Sequence, residues 1–302
     1  MTFGGQANES TARLMIDQAF DAGINFVDTA NNYTGGASET IVGKCLRDRR
    51  QHCILASKVF NKFGEAPDQR GLSRDAILRA VEATLQRLQT DYLDIYYFHA
   101  PDYSVPMEES LRAMDQLVKD GKVRYVGASN FASWQLTKLH WIAEREGLPT
   151  IRIAQPMYNL IARGIEQEFL PACLDLKVST IIYNPLAGGL LTGKHSDKKP
   201  LPGTRFDTNQ QYVDRYWQGP NFAAVAQLKQ LADKEERSLV SLALNWLLNH
   251  TQADGLILGA SSLEQLQANL KALQEGPVES SLVSVCDDVW TQLRGQLPFY
   301  NR

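Results

Sequence analysis

Cysteine is scarce in this chain: Cys45, Cys53, Cys173 and Cys286 are the only four in 302 residues, and no CxxC pair occurs. That spacing offers neither a zinc-ligand set nor a redox dithiol, so no metal site is expected. Sparse, scattered cysteines fit a reducing compartment. Neither sign of charge is in excess, with 31 Lys and Arg against 34 Asp and Glu, a net charge of −3 and a pI near 6.0. A nucleic-acid partner is therefore not expected, because it would call for a basic domain or stripe. The one dense basic run, Arg47 to Arg50, includes Asp48 and is expected to be a solvated helix end. No run of about 18 apolar residues exists, so no membrane span is expected. The start of the chain has no basic segment followed by an apolar run, so no signal peptide is read there and a cytoplasmic location is expected. No GxGxxG follows an early strand, which argues against an open dinucleotide-binding sheet.

What is present is an alternation of short apolar runs and amphipathic stretches. The runs cover residues 24–27, 53–56, 93–98, 123–128, 151–154, 178–183 and 256–258. They are rich in β-branched and aromatic residues and lack period-two alternation, as strands buried on both faces do. Helical periodicity appears at 10–21 (with Leu14, Ala19 and Phe20 on one side), 73–88, 107–119, 133–146, 167–176, 222–234, 263–273 and 279–295. Ser73 is a good N-cap, and Ile77, Val81, Leu85 and Leu88 follow at helical spacing. Trp134, Trp141 and Trp246 fall on helix patterns and are expected to pack. Strand alternating with helix predicts a parallel sheet, and this many repeats predicts a (β/α)8 barrel over 1–302 as a single domain. Only about seven strands are found, and the chain opens on a helix. MTFGG at 1–5 reads as the tail of a first strand, so that strand, and a hairpin before it, are expected to be missing from this chain. The polar, proline-bearing segment 195–221 is expected to be a long loop on the active-site face.

Three polar residues follow three successive strands: Asp28 after INFV, Lys58 after ILAS and His99 after DIYYF. Tyr33 lies just beyond Asp28. Each such residue alone is more often a salt bridge, a solvated tip or a satisfied core group. Strand ends of a barrel share one face, however, and neighbouring strands stand about 4.8 Å apart, so the four can meet. A lysine ammonium favours a phenolate, which makes a tyrosine a better acid near neutral pH. Asp28 can hold Lys58 charged, and His99 can donate to a carbonyl oxygen. A phenol that protonates a carbonyl under attack suits carbonyl reduction. None of these side chains donates hydride, so a cofactor must.

The stretches FVDTANNYTGGASETIVG, ASKV, LQRLQTDYLDIYYFHAPD, GKVRYVGASNF, QPMYNL and IIYNPLAGGLLTGK, in this order, resemble the aldo-keto reductase family. Its aryl-alcohol dehydrogenase-like and potassium-channel-β-subunit-like branches are the most similar. The resemblance, which runs to about Asn269, implies an NADP-dependent oxidoreductase that reduces aldehydes or ketones, with Asp28, Tyr33, Lys58 and His99 as catalytic tetrad and Tyr33 as general acid. It implies that Ser129, Asn130 and Gln155 hold the nicotinamide carboxamide and that Tyr183 stacks on its ring. It places Pro185, Leu186, Gly188 and Leu190, with Lys194 and Arg205, around the pyrophosphate. It puts Gly259, Ala260, Ser261, Gln265 and Asn269 at the adenosine end. The pair Gly188 and Gly189 gives backbone room beside a phosphate, with a simple tight turn as the alternative reading. NADPH is the expected cofactor. NADH stays possible, because Ser261, Ser262 and Gln265 are neutral where an arginine fork would grip a 2′-phosphate. A small-molecule carbonyl is the expected partner, with monomer and homo-oligomer both open. A regulatory cofactor-binding subunit and an inactive shortened product are the competing readings. The loops at 61–71, 101–105 and 195–220 are expected to shape specificity, with Phe60, Tyr103, Tyr158 or Trp217 against the substrate or in structural roles.

Overall fold

The computed structural model describes residues 1–62 and 69–295. Part of the expected specificity loop, 63–68, lies outside the described residues. Two compact units are present: one of residues 1–156, 167–181 and 259–267, the other of 157–166, 182–258 and 268–302.

In the first unit the order is α1 (Glu9–Asp21), β1 (Phe26–Asp28), α2 (Ala37–Leu46), β2 (Ile54–Val59), α3 (Arg74–Leu88), β3 (Leu93–Phe98), α4 (Met107–Lys119), β4 (Val123–Ser129), α5 (Ser133–Glu146), β5 (Ile153–Gln155) and α6 (Phe169–Asp175). β6 (Ser179–Ile182) follows. In the second unit come α7 (Arg205–Thr208), α8 (Gln210–Tyr216), α9 (Gly219–Lys234), α10 (Leu239–His250) and β7 (Gly255–Leu256). The last elements are α11 (Leu263–Leu273) and α12 (Ser280–Arg294). The strand order runs from β1 to β7 in sequence, and every registered pair from β1 to β6 is parallel. This is the strand–helix plan of a (β/α)8 barrel with seven strands among the described residues, one fewer than the complete plan. Residues 1–8 form no named strand; Phe3 and Ala7 make an isolated bridge.

Local chemistry explains the elements. The Ser73 side chain accepts from the Ala76 N–H and starts α3, which stops where Gln89 turns left-handed at φ 54°. Glu108 and Glu109 open α4 and Lys119 closes it, matching the helix dipole. β3 is buried along its whole length, as a parallel strand covered on both faces should be. Gly127 is required where it stands, since a Cβ there would lie 2.4 Å from the Tyr97 ring.

Several expectations need correction. In α1 the buried face is Ala12, Met15 and Ile16, and Leu14, which lies off that face, is 55% exposed. Segment 195–221 is not plain loop: it carries α7, α8 and the start of α9, held by a cluster of Phe206, Tyr212, Trp217 and Phe222 rings. Trp246 is buried, but Trp134 and Trp141 are exposed on α5, where Arg145 stacks over Trp141. Arg50 is not a solvated helix end: it lies over the Tyr92 ring and bonds Asp94 at 2.8 Å. Apolar periodicity could not foresee the place of Arg50, because stacking on Tyr92 and pairing with Asp94 depend on groups more than 40 residues away along the chain.

Candidate active site

β2 sets the geometry. Alternation along a strand sends Ser57 and Lys58 to opposite faces. Ser57 faces α2, where its Oγ donates to Glu39 Oε1 at 2.5 Å. Glu39 is fully buried, and Arg87 of α3 grips its other oxygen at 2.7 Å. Buried Glu39 and half-buried Arg87 thus tie α2 to β2 and α3. The turn that carries Tyr33 runs directly into α2 through Gly35 and Gly36 at φ 63° and 91°.

On the opposite face Lys58 is fully buried. Its ammonium donates to Asp28 Oδ1 and, at 2.8 Å, to the Thr29 carbonyl. It also hydrogen-bonds Tyr33 and lies 5.2 Å from the Tyr33 ring centroid. Burial opposes the charge on Lys58, but the Asp28 carboxylate and Tyr33 more than compensate and hold its pKa above the usual lysine value. Asp28 keeps its second oxygen on Gln155 Nε2 at 2.9 Å. The chain beyond β1 continues the ladder, with Thr29 N–H on Ala56 and Asn31 N–H on Lys58.

His99 follows β3, and its backbone N–H bonds the Val59 carbonyl at 2.9 Å. Its ring meets Tyr33 edge-on, with centroids 5.8 Å apart. Burial, with the nearby Lys58 charge, pushes its pKa down to about 3, so the imidazole is neutral at physiological pH. Asp28, Tyr33, Lys58 and His99 are thus brought together inside the first unit.

The same unit places three expected cofactor residues beside them. Ser129 and Gln155 are register partners at the ends of β4 and β5, and Ser129 Oγ donates to the Gln155 carbonyl at 2.9 Å. Asn130, at φ 62°, donates through Nδ2 to the His99 carbonyl and to Ser129 Oγ. Two carboxamides and a hydroxyl at adjoining strand ends form a donor–acceptor set matched to a primary amide, so these residues fit a nicotinamide. Gly259, Ala260, Ser261 and Gln265 also lie in this unit. The Ser261 N–H and Oγ both donate to Gln265 Oε1 at 2.9 Å. Next to them the Ser262 hydroxyl holds the Glu264 carboxyl below the usual range.

The second unit holds the other expected residues. Pro185, Leu186, Gly188 and Leu190 belong to a turn in which Ala187, Gly188 and Gly189 have φ of 50°, 69° and 107°. The Gly188 N–H is fixed by Asn184 Oδ1 at 2.6 Å. A Cβ on Gly188 would strike the Tyr212 ring at 2.6 Å, whereas one on Gly189 would meet nothing nearer than 3.9 Å. The Ala187 and Gly189 N–H groups donate within the turn as well, to the Asn184 and Leu186 carbonyls at 3.0 and 2.8 Å, so what the turn offers a bound group is the open space beside Gly189. Arg205 lies over the Tyr212 ring and donates to its hydroxyl at 3.1 Å. Tyr183 bridges Met157, Lys194 is exposed and Asn269 is buried. Of the aromatic residues expected near substrate, Tyr103 is 82% exposed. Tyr158 is buried against Trp246 and bonded to Glu166.

Sequence reasoning missed Asn31, Asn61, Asn184 and Glu39. Asn31 is buried two residues before Tyr33, and its side-chain carboxamide has no partner among the described residues. Asn61 Nδ2 stands 3.0 Å from His99 Nδ1. Asn184 had a readable signal, the turn-forming Asn-Pro pair. Glu39 reads as one more polar residue on a helix, and nothing local marks it as buried.

Comparison with known proteins places these observations in context. The aldo/keto reductase family model matches residues 1–291. Aflatoxin B1 aldehyde reductase member 2 of Rattus norvegicus is 35% identical over 100% of this chain and 86% of its own length. Aldo-keto reductase family 7 member A3 of Homo sapiens is 35% identical over 100% and 95%. A probable voltage-gated potassium channel subunit beta of Arabidopsis thaliana is 33% identical over 94% and 88%.

Proposed function

The chain belongs to the aldo/keto reductase family of oxidoreductases, and on that premise we propose that it reduces aldehydes or ketones to alcohols with NADPH. The observation that carries this reading is the buried Lys58, held charged by Asp28 and bonded to Tyr33 beside a neutral His99. When bound, the nicotinamide supplies the hydride that none of these side chains can give.

The chain's own residues handle the proton and the orientation. Tyr33 gives its phenolic proton to the substrate oxygen. The Lys58 ammonium stabilises the phenolate that this leaves, and Asp28 keeps Lys58 charged and in place. Neutral His99 donates a hydrogen bond to the same oxygen and polarises the carbonyl. Ser129, Asn130 and Gln155 hold the nicotinamide carboxamide. In the second unit, the turn around Gly188 and Gly189 takes a phosphate, with Tyr183, Lys194 and Arg205 as further cofactor contacts. NADPH is preferred, and the neutral Ser261 and Gln265 leave NADH usable. The similarity to the rat aflatoxin B1 aldehyde reductase makes aldehydes the first substrates to try. The scarcity of cysteine, four residues with no CxxC pair, supports a cytoplasmic location. Among the described residues no helix is long and apolar enough to cross a membrane.

The test is oxidation of NADPH by the purified chain with nitrobenzaldehyde. Turnover is expected, with a higher kcat/KM for NADPH than for NADH. Tyr33→Phe should lose about 10²–10⁴ of kcat while still binding NADPH. Undiminished turnover in that variant removes Tyr33 from the acid role. A second reading, a cofactor-binding regulatory subunit, rests on the similarity to the potassium channel subunit beta. Tight NADPH binding with negligible turnover of several aldehydes would favour it.

A further inference from the structure

His99 has two ring nitrogens, and only a protonated one can donate to a carbonyl oxygen. Its backbone is fixed on both sides, by its N–H on the Val59 carbonyl and by Asn130 Nδ2 on its own carbonyl. The ring orientation is set edge-on to Tyr33. What remains to be decided is which ring nitrogen carries the proton.

The atom 3.0 Å from His99 Nδ1 is the Asn61 amide nitrogen, Nδ2. A carboxamide nitrogen carries two hydrogens and accepts nothing. The contact is therefore bonding only when Nδ1 is bare and accepts. A neutral imidazole has one proton, and that proton then sits on Nε2. Asn61 lies just past the end of β2, so one strand and its loop supply both Lys58 and the group that orients His99.

We propose that Asn61 is a positioning residue that locks His99 in the tautomer with Nε2 protonated, making Nε2–H the donor to the substrate oxygen. The second half of this statement rests on the carbonyl-reductase reading; the tautomer itself does not.

The test uses the full chain with 15N-labelled histidine rings and long-range 1H–15N correlation spectra between about pH 5 and 9. The chain has five histidines, and the His99 signals are assigned by their loss in His99→Gln. The expected spectrum has a bare Nδ1 and a protonated Nε2 throughout. Asn61→Asp places a group that only accepts at this point, so it should draw the proton to Nδ1 and raise the pH at which His99 titrates. Its kcat should fall about tenfold or more, with a smaller change in KM and in NADPH binding. Asn61→Ala should leave a mixture of tautomers. A wild-type His99 protonated on Nδ1 overturns the proposal, and so does an Asn61→Asp protein whose His99 keeps the wild-type pattern. If no carbonyl compound is turned over by the wild-type chain, the reductase reading fails, while the nitrogen shifts still decide the pairing of Asn61 with His99.

Discussion

Lys58 is a charged side chain with no exposed surface, and its survival there depends on Asp28. Removing one member of a buried pair strands the other, and the cost is about 3–5 kcal/mol. Lys58→Met should therefore lower the thermal midpoint strongly as well as abolish turnover. Asp28→Asn combined with Lys58→Met should restore most of that midpoint without restoring activity. Thermal unfolding of the two variants checks this, and equal midpoints would show that the pair carries no such burden. At this scale much was legible beforehand. Asp28, Lys58 and His99 each stand immediately after an apolar run, and the alternation of strand faces needs no tertiary information. Asn61 was not legible: it follows its strand at no diagnostic spacing, and its partner His99 is 38 residues away.

The turn with Tyr33 and the helix after it form one mechanical element. α2 crosses close to the end of α3, because a Cβ on Gly43 would lie 2.5 Å from the Leu88 carbonyl oxygen. The Glu39–Arg87 pair spans the same two helices. Gly43→Ala must push backbone from backbone, and overpacking of this kind costs about 1–3 kcal/mol despite the better helix propensity of alanine. We expect a lower midpoint and reduced kcat, since α2 begins where the Tyr33 turn ends. Gly219→Ala, at a position where an added Cβ meets nothing within 4 Å, is the matched control and should change neither. A Gly43→Ala protein indistinguishable from this control would disprove the tight crossing. The sequence marked α3, α4, α5 and α11 almost to the residue, because each has an apolar stripe, and Ser73 also marked the start of α3. It gave no warning of α7 and α8, where aromatic packing replaces apolar periodicity.

Across the whole molecule three histidines are held neutral by burial: His99, His140 and His195. His195 lies edge-on to Phe206 and Trp217, and its ring nitrogens have no partner among the described residues. For a base whose folded pKa is depressed, the unfolded chain binds the proton first. The stability these groups contribute is complete above about pH 6.5 and is lost as the pH falls, for His99 down to about 3. The thermal midpoint should drop steadily from about pH 7 to 4, and His99→Gln should flatten part of that slope. A midpoint independent of pH over that range would show that these imidazoles are not the acid-sensitive groups.

The sequence by itself determined the alternation of parallel strands and helices, the family, and the three polar residues at three strand ends with Tyr33 in the turn after the first. Those follow from local periodicity and from motif order, which are properties of neighbours along the chain. Tertiary structure alone decided that Glu39 and Arg87 pair in the interior, that Asn61 reaches His99, and that Trp134 and Trp141 stay outside. Each of these depends on which distant groups compete for the same hydrogen bond or the same buried space, and the spacing of residues along a chain carries no record of that competition.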